Sequence, residues 1–387
     1  MPVINRVAEM QEQVAEWRRH LHQNPELLYD VHETSRFVAE KLNSFGCDVV
    51  ETGIGKTGVV GIIKGKHGDG PVIGFRADMD ALPIFETSGK PWASKTPGKA
   101  HSCGHDGHTA MLLGAAQYLA ETRNFKGSVA VIFQPAEEGG AGALAMIEDG
   151  FIDKFGINEV YGMHNEPRLA VGNFAIRKGG IMAAADVFEI TVNGRGSHAA
   201  QPHNSIDPVL AASHIVIALQ SIVSRETDPL KSLVVTIAAI HGGEANNVIP
   251  DTVKLVGTVR TLLPETRDFA QKRLTAVAET TAIAHGATAE VVYRRGYPVT
   301  FNHEAETEFA IGIAGKVAGP KAVNGEVNPH MGAEDFSYML EQRPGAFIFI
   351  GNGDTASLHN AAYDFNDEAI PYGVSYWVTL AETALAA

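Results

Sequence analysis

The sequence has few cysteines, no excess of positive charge and no long hydrophobic run. Its two cysteines, Cys47 and Cys103, are too few for a disulfide framework and are typical of a reducing compartment. The net charge of −14 argues against a nucleic-acid or anionic-membrane surface, since both select clustered cations. No apolar run approaches the roughly 18 residues of a membrane helix, and no apolar signal core is present near the N-terminus. We therefore expect a cytoplasmic protein with no nucleic-acid or membrane partner.

What the sequence does contain is a regular alternation of strands and helices. Apolar runs such as Val72–Arg76 and Ser128–Phe133 lie between helical patterns and predict an α/β domain with a largely parallel sheet. Between 186 and 297 the pattern changes to four alternating strands and two long helices, which predicts an inserted α+β domain. We therefore expect a discontinuous main domain, 1–185 and 298–387, interrupted by a satellite domain at 186–297.

The densest group of reactive side chains lies in the segment His101–His108. Within it, Cys103 and His105 form a Cys-x-His pair that can present a thiolate and an imidazole to one side of a tight turn. Gly104 permits such a turn because it has no Cβ. A helix that merely begins with glycine and histidine explains the same residues, so this segment alone does not decide between a metal site and a structural role.

Three further groups follow predicted strands. Glu137 and Glu138 come after the strand that ends at Phe133, and His164 and His359 come after later strands. Open α/β sheets bind their ligands at the carboxyl ends of strands. Each group alone also has a structural explanation as a solvated loop acid or a structural histidine. Together with Cys103 they form a ligand set for one or two divalent metals of borderline softness.

Five sequence motifs occur in a characteristic order. They are Arg76–Pro83, Cys103–Asp106, Gln134–Glu138, Gly196–Ala200 and Gly332–Phe336. In this order they resemble the amidohydrolase branch of a di-metal exopeptidase family that also contains aminoacylases and carnosine dipeptidases. That branch holds hippurate hydrolases, indole-acetyl-amino-acid hydrolases and N-acetyl-amino-acid deacetylases. The resemblance covers essentially the whole chain and implies a di-metal exopeptidase-like catalytic domain with an inserted α+β satellite domain.

The resemblance implies two divalent metal ions per subunit. The ligands that it implies are, in chain order, Cys103, His105, Glu138, His164 and His359. Cys103 takes the bridging position, which is an aspartate in most of the wider family. This chain has Asp78 where the wider family has a histidine ligand, so the resemblance implies that His105 makes the missing contact and that Asp80 supports the ligand imidazoles. Manganese is the expected metal, with zinc, cobalt and nickel as alternatives.

The resemblance also implies the groups that act on the substrate. Glu137 matches the general base, and His198 is the candidate for stabilising the oxyanion, from the same or a partner subunit. Asn247 lies in a segment that resembles the family's substrate-facing asparagine loop. Apart from the resemblance, Arg260 ends an alternating strand that can aim it at a cleft, and an arginine suits a substrate carboxylate because it binds bidentately. A turn histidine, a capping asparagine and a surface arginine are the structural alternatives.

The expected function is metal-dependent hydrolysis of the amide bond of small N-acyl-L-amino acids. The expected assembly is a homodimer or tetramer formed through the satellite domain. A dipeptidase or aminopeptidase is the alternative within the same class, but the sequence offers no obvious acid dedicated to a free α-amine. A non-catalytic metal-binding protein on the same fold is the alternative from another class, and the intact Glu137 argues against it.

Overall fold

The computed structural model describes residues 3–386. Contacts divide the chain into two compact units. The first comprises the chain up to Ile181, Phe301–Asn328 and the chain from Asp335 onward, and the second comprises Met182–Thr300 and Pro329–Glu334. That the segment 186–297 is a separate satellite domain with those boundaries stays a prediction.

The helices and strands have the following bounds. The α-helices are α1 (Asn5–Glu9), α2 (Gln11–Gln23), α3 (His32–Phe45), α4 (His105–Thr122), α5 (Gly142–Glu148), α6 (Phe151–Lys154), α7 (Pro208–Ser221), α8 (Pro264–Ala284), α9 (Glu304–Ala318), α10 (Ser337–Gln342) and α11 (Ile370–Ala384). The β-strands are β1 (Val49–Ile54), β2 (Gly58–Lys64), β3 (Val72–Asp78), β4 (Ser128–Gln134), β5 (Ile157–Pro167), β6 (Phe174–Ala175), β7 (Gly179–Met182), β8 (Ala184–Asn193), β9 (Ser197–His198), β10 (Leu233–His241), β11 (Val248–Ile249), β12 (Thr252–Thr261), β13 (Thr288–Arg295), β14 (Thr300–Asn302), β15 (Val323–Asn324) and β16 (Gly345–Gly353).

An eight-stranded mixed sheet forms the centre of the first unit. Its strand order is β1-β2-β4-β3-β5-β16-β6-β15. The four central strands, β4, β3, β5 and β16, run parallel to one another. They are buried along most of their length, which their nearly continuous apolar sequences allow. The predicted α/β fold is confirmed, and the carboxyl ends of four adjacent strands lie at one edge of the sheet.

Helix α4 is the central helix of this unit. It is apolar on nearly all sides, and residues such as Leu112 and Leu113 are fully buried. It packs against α2 and α11, and the ring of Trp377 in α11 stacks on Phe75 of β3 at 4.8 Å. This packing fixes the N-terminus of α4, and with it His105.

The second unit contains a four-stranded antiparallel sheet in the order β10-β12-β8-β13. Helices α7 and α8 contact this sheet and share one apolar core with it. Strand β12 alternates: Val253, Leu255 and Val259 are buried in that core, whereas Thr258 and Arg260 lie on the opposite face. The sequence pattern of this region follows directly from a sheet that is covered on one face.

Helix α7 and the π-helical turn after it, Pro208–Glu226, are long and apolar enough to cross a membrane by length and composition alone. Core helices of soluble proteins pass the same test, so this is weak evidence for a membrane span. Ala211 and Ile215 face the core of the second unit, whereas Leu210 and Ile217 are exposed. The core explains one apolar face of this helix and leaves a second, exposed apolar stripe.

Candidate metal centre

The predicted ligands converge at the carboxyl edge of the central sheet. Glu137 and Glu138 follow β4, and His359 follows β16. His164 lies within β5, because that strand is longer than the sequence pattern indicates. Glu137 and His164 are buried, Glu138 is partly buried, and the side chain of His359 is about half exposed.

Cys103 and His105 reach the same place from the start of helix α4. Gly104 precedes the helix with φ +92°. A Cβ on Gly104 would lie 2.2 Å from Asn165 Oδ1 and 2.6 Å from the hydroxyl oxygen of Tyr363. Only glycine fits this turn, for its conformation as well as for space. The turn therefore places the thiol and the imidazole on the side of the site, as the Cys-x-His spacing suggests.

The ligand atoms form two groups that share the sulfur of Cys103. One group is Cys103, His105 and His164, and the other is Cys103, Glu138 and His359; in each, the ligand atoms lie within 4.8 Å of one another. Cys103 Sγ lies 3.4 Å from His164 Nε2, and His359 Nε2 lies 3.3 Å from Glu138 Oε1. This division matches the two metal positions that the resemblance implies, with Cys103 common to both.

The imidazoles are oriented as metal ligands require. His105 Nδ1 lies 2.7 Å from the backbone oxygen of Asp80, and His164 Nδ1 lies 2.7 Å from the backbone oxygen of Asn165. A carbonyl oxygen only accepts, so each Nδ1 carries a proton, and in the neutral imidazole this leaves the lone pair of Nε2 for a metal. His105 Nε2 and Glu138 Oε1 are buried, and neither makes a contact of hydrogen-bond geometry among residues 3–386; the 3.3 Å approach of His359 Nε2 to Glu138 Oε1 is an ion-pair contact. Buried polar atoms without partners are rare, and a divalent cation at this position would satisfy both.

Asp80 supports the site in two ways. Its backbone oxygen orients His105, and its carboxylate accepts hydrogen bonds from the backbone amides of Glu137, at 2.9 Å, and Glu138, at 3.1 Å. The expected contact of its carboxylate with an imidazole is longer, 3.7 Å to His105 Nδ1. We infer that the Asp80 side chain mainly positions the loop that carries both glutamates.

One candidate ligand and one residue beside the proposed general base hold left-handed backbone conformations. Ala136, directly before Glu137, has φ +54°, and His359 itself has φ +62°. Such conformations cost about 1–3 kcal/mol for residues other than glycine and concentrate at functional sites. The backbone strain at this edge is consistent with a site that fixes its side chains for chemistry.

Metal binding to this candidate ligand set would release protons. Burial raises the pKa of the Cys103 thiol. The side chains of Cys103 and Glu138 raise the pKa of His359 to about 10, whereas burial lowers the pKa of His164. Because a metal displaces the protons of Cys103 and His359, metal affinity should rise with pH.

A third group of possible ligands, Asp78, His105 and His108, also lies within 4.8 Å, but two of its members already satisfy each other. His108 Nδ1 lies 2.6 Å from Asp78 Oδ1, and Arg76 donates to Asp78 Oδ2 at 2.7 Å. Burial opposes the charge on Asp78, yet His105 and Arg76 hold its pKa well below the usual range. We infer that Asp78 anchors the first turn of α4 beneath the candidate ligands.

Asp335, in the Gly332–Phe336 motif, belongs to a buried network below the glutamate loop. Its carboxylate accepts hydrogen bonds from Arg76 at 2.9 Å and from the amide of Gln134 at 2.8 and 2.9 Å. The backbone amide of Ala143 donates to it at 3.0 Å. The motif thus has a structural role at this position: it ties β3, β4 and the start of α5 together.

Asp106, next to His105, belongs to a second buried network. His22 donates from Nδ1 to Asp106 Oδ2 over 2.8 Å and from Nε2 to Glu86 Oε1 over 3.1 Å. Both acceptors are carboxylates, so both ring nitrogens carry protons. Burial opposes this charge, but Asp106 and Glu86 outweigh it and raise the pKa of His22 to about 9.

We expect His22→Gln to lower stability in a pH-dependent way. When the pKa of a histidine is higher in the folded than in the unfolded protein, protonation stabilises the folded state. This contribution is complete at pH values below the pKa of the unfolded state and is lost as the pH rises through the pKa of the folded state. The wild-type and variant free energies of unfolding should differ by roughly 3 kcal/mol near pH 6 and converge near pH 10. Urea unfolding of the metal-free proteins measures this, with the exposed His32→Gln as control. A difference that does not change with pH would contradict a charged His22.

The predicted substrate residues lie in the second unit, at two separate places. His198 in β9 pairs with Val248 in β11, and the amide of Ala199 donates to the backbone oxygen of Asn247 at 3.0 Å. His198 and Asn247 are therefore neighbours, and both are exposed. They lie near the start of β12, whereas Arg260 lies near its end. Thr252 and Arg260 are eight positions apart in β12, which corresponds to a length of about 26 Å along the strand.

Comparison with known proteins agrees with this geometry. Residues 74–383 match Peptidase family M20/M25/M40. A hippurate hydrolase of Campylobacter jejuni is 42% identical over 98% of this chain and 99% of its own length. An N-acetyl-L-cysteine deacetylase of Bacillus subtilis is 44% identical over 94% of this chain and 86% of its own. A solved Bacillus subtilis structure, described as a dinuclear metal binding peptidase from the M20 family, superimposes with a TM-score of 0.87 at 35% identity, over 98% of this chain and 99% of that one. This chain therefore belongs to peptidase family M20/M25/M40.

Proposed function

We propose that this protein is a metal-dependent amidohydrolase that converts N-acyl-L-amino acids to a carboxylate and a free amino acid. The observation that carries the proposal is the arrangement of two potential metal-binding groups around the shared Cys103, with the carboxylate of Glu137 beside them. The relatives named hippurate hydrolase and N-acetyl-L-cysteine deacetylase support cleavage of the same type of amide bond, since each name denotes removal of an acyl group from an amino acid.

Two divalent ions would be held by His105 and His164 on one side and by Glu138 and His359 on the other, with Cys103 between them. Thiolate, imidazole and carboxylate ligands suit divalent metals of borderline softness. Manganese is our first choice, and zinc, cobalt and nickel are alternatives. Such ions supply Lewis acidity, which activates water and polarises an acyl oxygen.

Glu137 would move the proton. Its carboxylate lies within 4.8 Å of the ligand atoms of His105 and Glu138, so a water near the ligands is within its reach. An amine is a poor leaving group unless its nitrogen is protonated. We propose that Glu137 takes a proton from the attacking water and passes it to that nitrogen. The hydrogen bond from its backbone amide to Asp80 keeps its loop in place during the transfer.

A chelation experiment tests the proposed function. The protein is treated with a chelator and then supplied with manganese, zinc, cobalt or nickel, and hydrolysis of acetyl-, benzoyl- and indoleacetyl-amino acids is measured. Activity that disappears with the chelator and returns with a metal supports the proposal. Dipeptides and amino-acid amides serve as the comparison. Faster cleavage of these than of every acyl-amino acid would favour a dipeptidase or aminopeptidase.

We also propose that His198 and Arg260 act on one substrate from two different subunits. Arg260 would bind the substrate carboxylate, and His198, with Asn247 beside it, would stabilise the oxyanion. His198 pairs with Val248 just before β12 begins, whereas Arg260 lies near the end of β12, and the strand between Thr252 and Arg260 spans about 26 Å. A small N-acyl amino acid is shorter than that separation. If both residues contact it, a second copy of the chain must contribute one of them.

The second unit has the features of a surface where copies of the chain assemble. Strand β10 is an edge strand of its sheet, and edge strands readily pair with another chain. Helix α7 exposes Leu210 and Ile217, which are 52% and 69% exposed. We therefore propose a homo-oligomer, a dimer or tetramer, formed through this unit. We also propose a cytoplasmic location, because both cysteines are free thiols.

Mixing two inactive variants tests the shared site. If His198 acts in the partner subunit, dissociated and reassociated Glu137→Gln and His198→Ala proteins should form mixed dimers with one intact site each. An equal mixture should then recover about one quarter of wild-type activity. If His198 acts in its own subunit, this pair stays inactive, and the pair Glu137→Gln with Arg260→Ala recovers activity. Recovery by neither pair would contradict a shared site.

A further inference from the structure

Leu28 combines two unusual features beside the candidate site. It holds a left-handed backbone conformation, φ +49°, which is a steric outlier for a bulky residue such as leucine. The residue is also 40% exposed, and it is not part of the described buried cluster that surrounds the central sheet. Glycine would fit this backbone conformation better. Because the residue is so exposed, hydrophobic packing gives leucine little advantage over glycine. The fold by itself therefore gives no reason for a large apolar side chain at this position.

The backbone around Leu28 is fixed to both loops that carry the site. Ala81, directly after Asp80, donates from its amide to the backbone oxygen of Glu26 at 2.8 Å. The amide of Ala136, directly before Glu137, donates to the backbone oxygen of Leu28 at 3.2 Å. Leu28 is thus one hydrogen bond away from the residue that precedes the proposed general base.

The neighbouring residues hold this segment on both sides. The hydroxyl of Tyr29 donates to the backbone oxygen of Gly140 at 2.7 Å, and Thr57 donates to the backbone oxygen of Tyr29 at 3.0 Å. The carboxylate of Glu26 accepts from the amide of Thr34 at 2.8 Å, near the start of α3. These bonds give Leu28 a fixed position, and a fixed residue can select a ligand by shape.

We propose that Leu28 contacts the acyl group of the substrate and favours a bulky apolar acyl group over acetyl. This inference rests on the proposed amidohydrolase function. The residue lies beside Glu137, where the acyl carbon must be attacked, and an exposed apolar side chain gains most from an apolar group that leaves water. A strained conformation that packing does not explain is typical of residues kept for function.

The test compares Leu28→Gly with the wild type on benzoylglycine and acetylglycine. Glycine relieves the backbone strain and removes only the side chain, so the variant should fold with an unchanged or slightly higher melting temperature. Its kcat/KM should fall about 10-fold or more for benzoylglycine and less than about 3-fold for acetylglycine. Leu28→Asn is the second variant, because asparagine tolerates the same φ, and it should show the same selective loss.

Arg123→Gly is the matched control. Arg123 has nearly the same φ, +48°, but lies at the far end of α4. Its side chain donates to Asp48 and to the backbone oxygens of Lys64 and Gly46, so the control should lose some stability, whereas the ratio of the two substrates should not change. Equal losses on both substrates, or none, in both Leu28 variants would overturn the inference. Direct titration of wild type and Leu28→Gly with benzoate and acetate separates the role of Leu28 from the proposed amidohydrolase function. A wild type that hydrolyses no acyl-amino acid refutes the proposed function, whereas benzoate binding that is equal in wild type and Leu28→Gly refutes the role of Leu28.

Discussion

Glu137→Gln is expected to retain its metal ions and to lose about 10²–10⁴-fold in kcat. Glutamine has nearly the size of glutamate and keeps the backbone amide that donates to Asp80 at 2.9 Å, so the loop should stay in place. What the substitution removes is the ability to accept a proton from water and return it to the leaving nitrogen. Since both transfers belong to the chemical step, kcat should fall while KM changes little.

Three measurements make this result specific. Metal content determined by mass spectrometry should equal that of the wild type, and thermal unfolding should be unchanged within a few degrees. Glu16→Gln, an exposed residue of α2, should leave kcat unaltered. Turnover close to the wild type in Glu137→Gln would remove Glu137 from the mechanism. Loss of metal together with activity would instead make Glu137 a ligand.

The sequence predicts the parts of this site that depend on strand ends. Glu137 and Glu138 follow an apolar strand, and neighbouring parallel strands end at one edge, so convergence with His164 and His359 is expected from the pattern alone. Cys103 and His105 needed the resemblance as well, because a histidine-rich helix start has an ordinary structural explanation. The structure adds distances: the sulfur of Cys103 lies within 4.8 Å of the candidate ligand atoms of both groups.

The supporting networks are beyond the reach of sequence patterns because they join residues far apart in the chain. Arg76 and Asp335 are 259 positions apart and form a fully buried pair. His108 follows His105 by one helical turn, and this spacing would suit a second metal ligand equally well. The 2.6 Å contact of His108 with Asp78 shows instead that it belongs to the supporting network. Such pairings depend on how the whole chain packs. The left-handed conformation of Leu28 has no local signal either, since no glycine or asparagine marks it.

The separation of His198 and Arg260, in contrast, follows from strand length. Asn247 precedes β12 and Arg260 lies near its end, so the alternating pattern from Thr252 to Thr261 already places them far apart. The sequence pattern does not predict the pairing of β9 with β11, which brings His198 beside Asn247. Short two-residue strands have too few residues for a periodic signal.

Cys103→Ser is expected to reduce metal binding at both positions at once. A serine hydroxyl is neutral and a far weaker ligand than a thiolate. Because Cys103 belongs to both groups of ligands, its loss leaves two ligands on each side, His105 with His164 and Glu138 with His359. Metal content should fall well below two ions per subunit, and activity should fall with it. A return of activity only at a large excess of metal would reflect weaker binding by the remaining ligands.

The thiol itself provides an independent measurement. Cys47, the other free cysteine, is partly buried, and burial raises the pKa of its thiol to about 12, so Cys47→Ser should leave metal content and activity intact. In that background the only thiol is Cys103, and its rate of alkylation can be followed alone. A metal-bound thiolate is shielded, so alkylation should be slow in the metal-loaded protein and faster after chelation. Equal rates in the two forms, or full metal content in Cys103→Ser, would show that Cys103 is not a ligand and that the two ions, if present, are joined by another group.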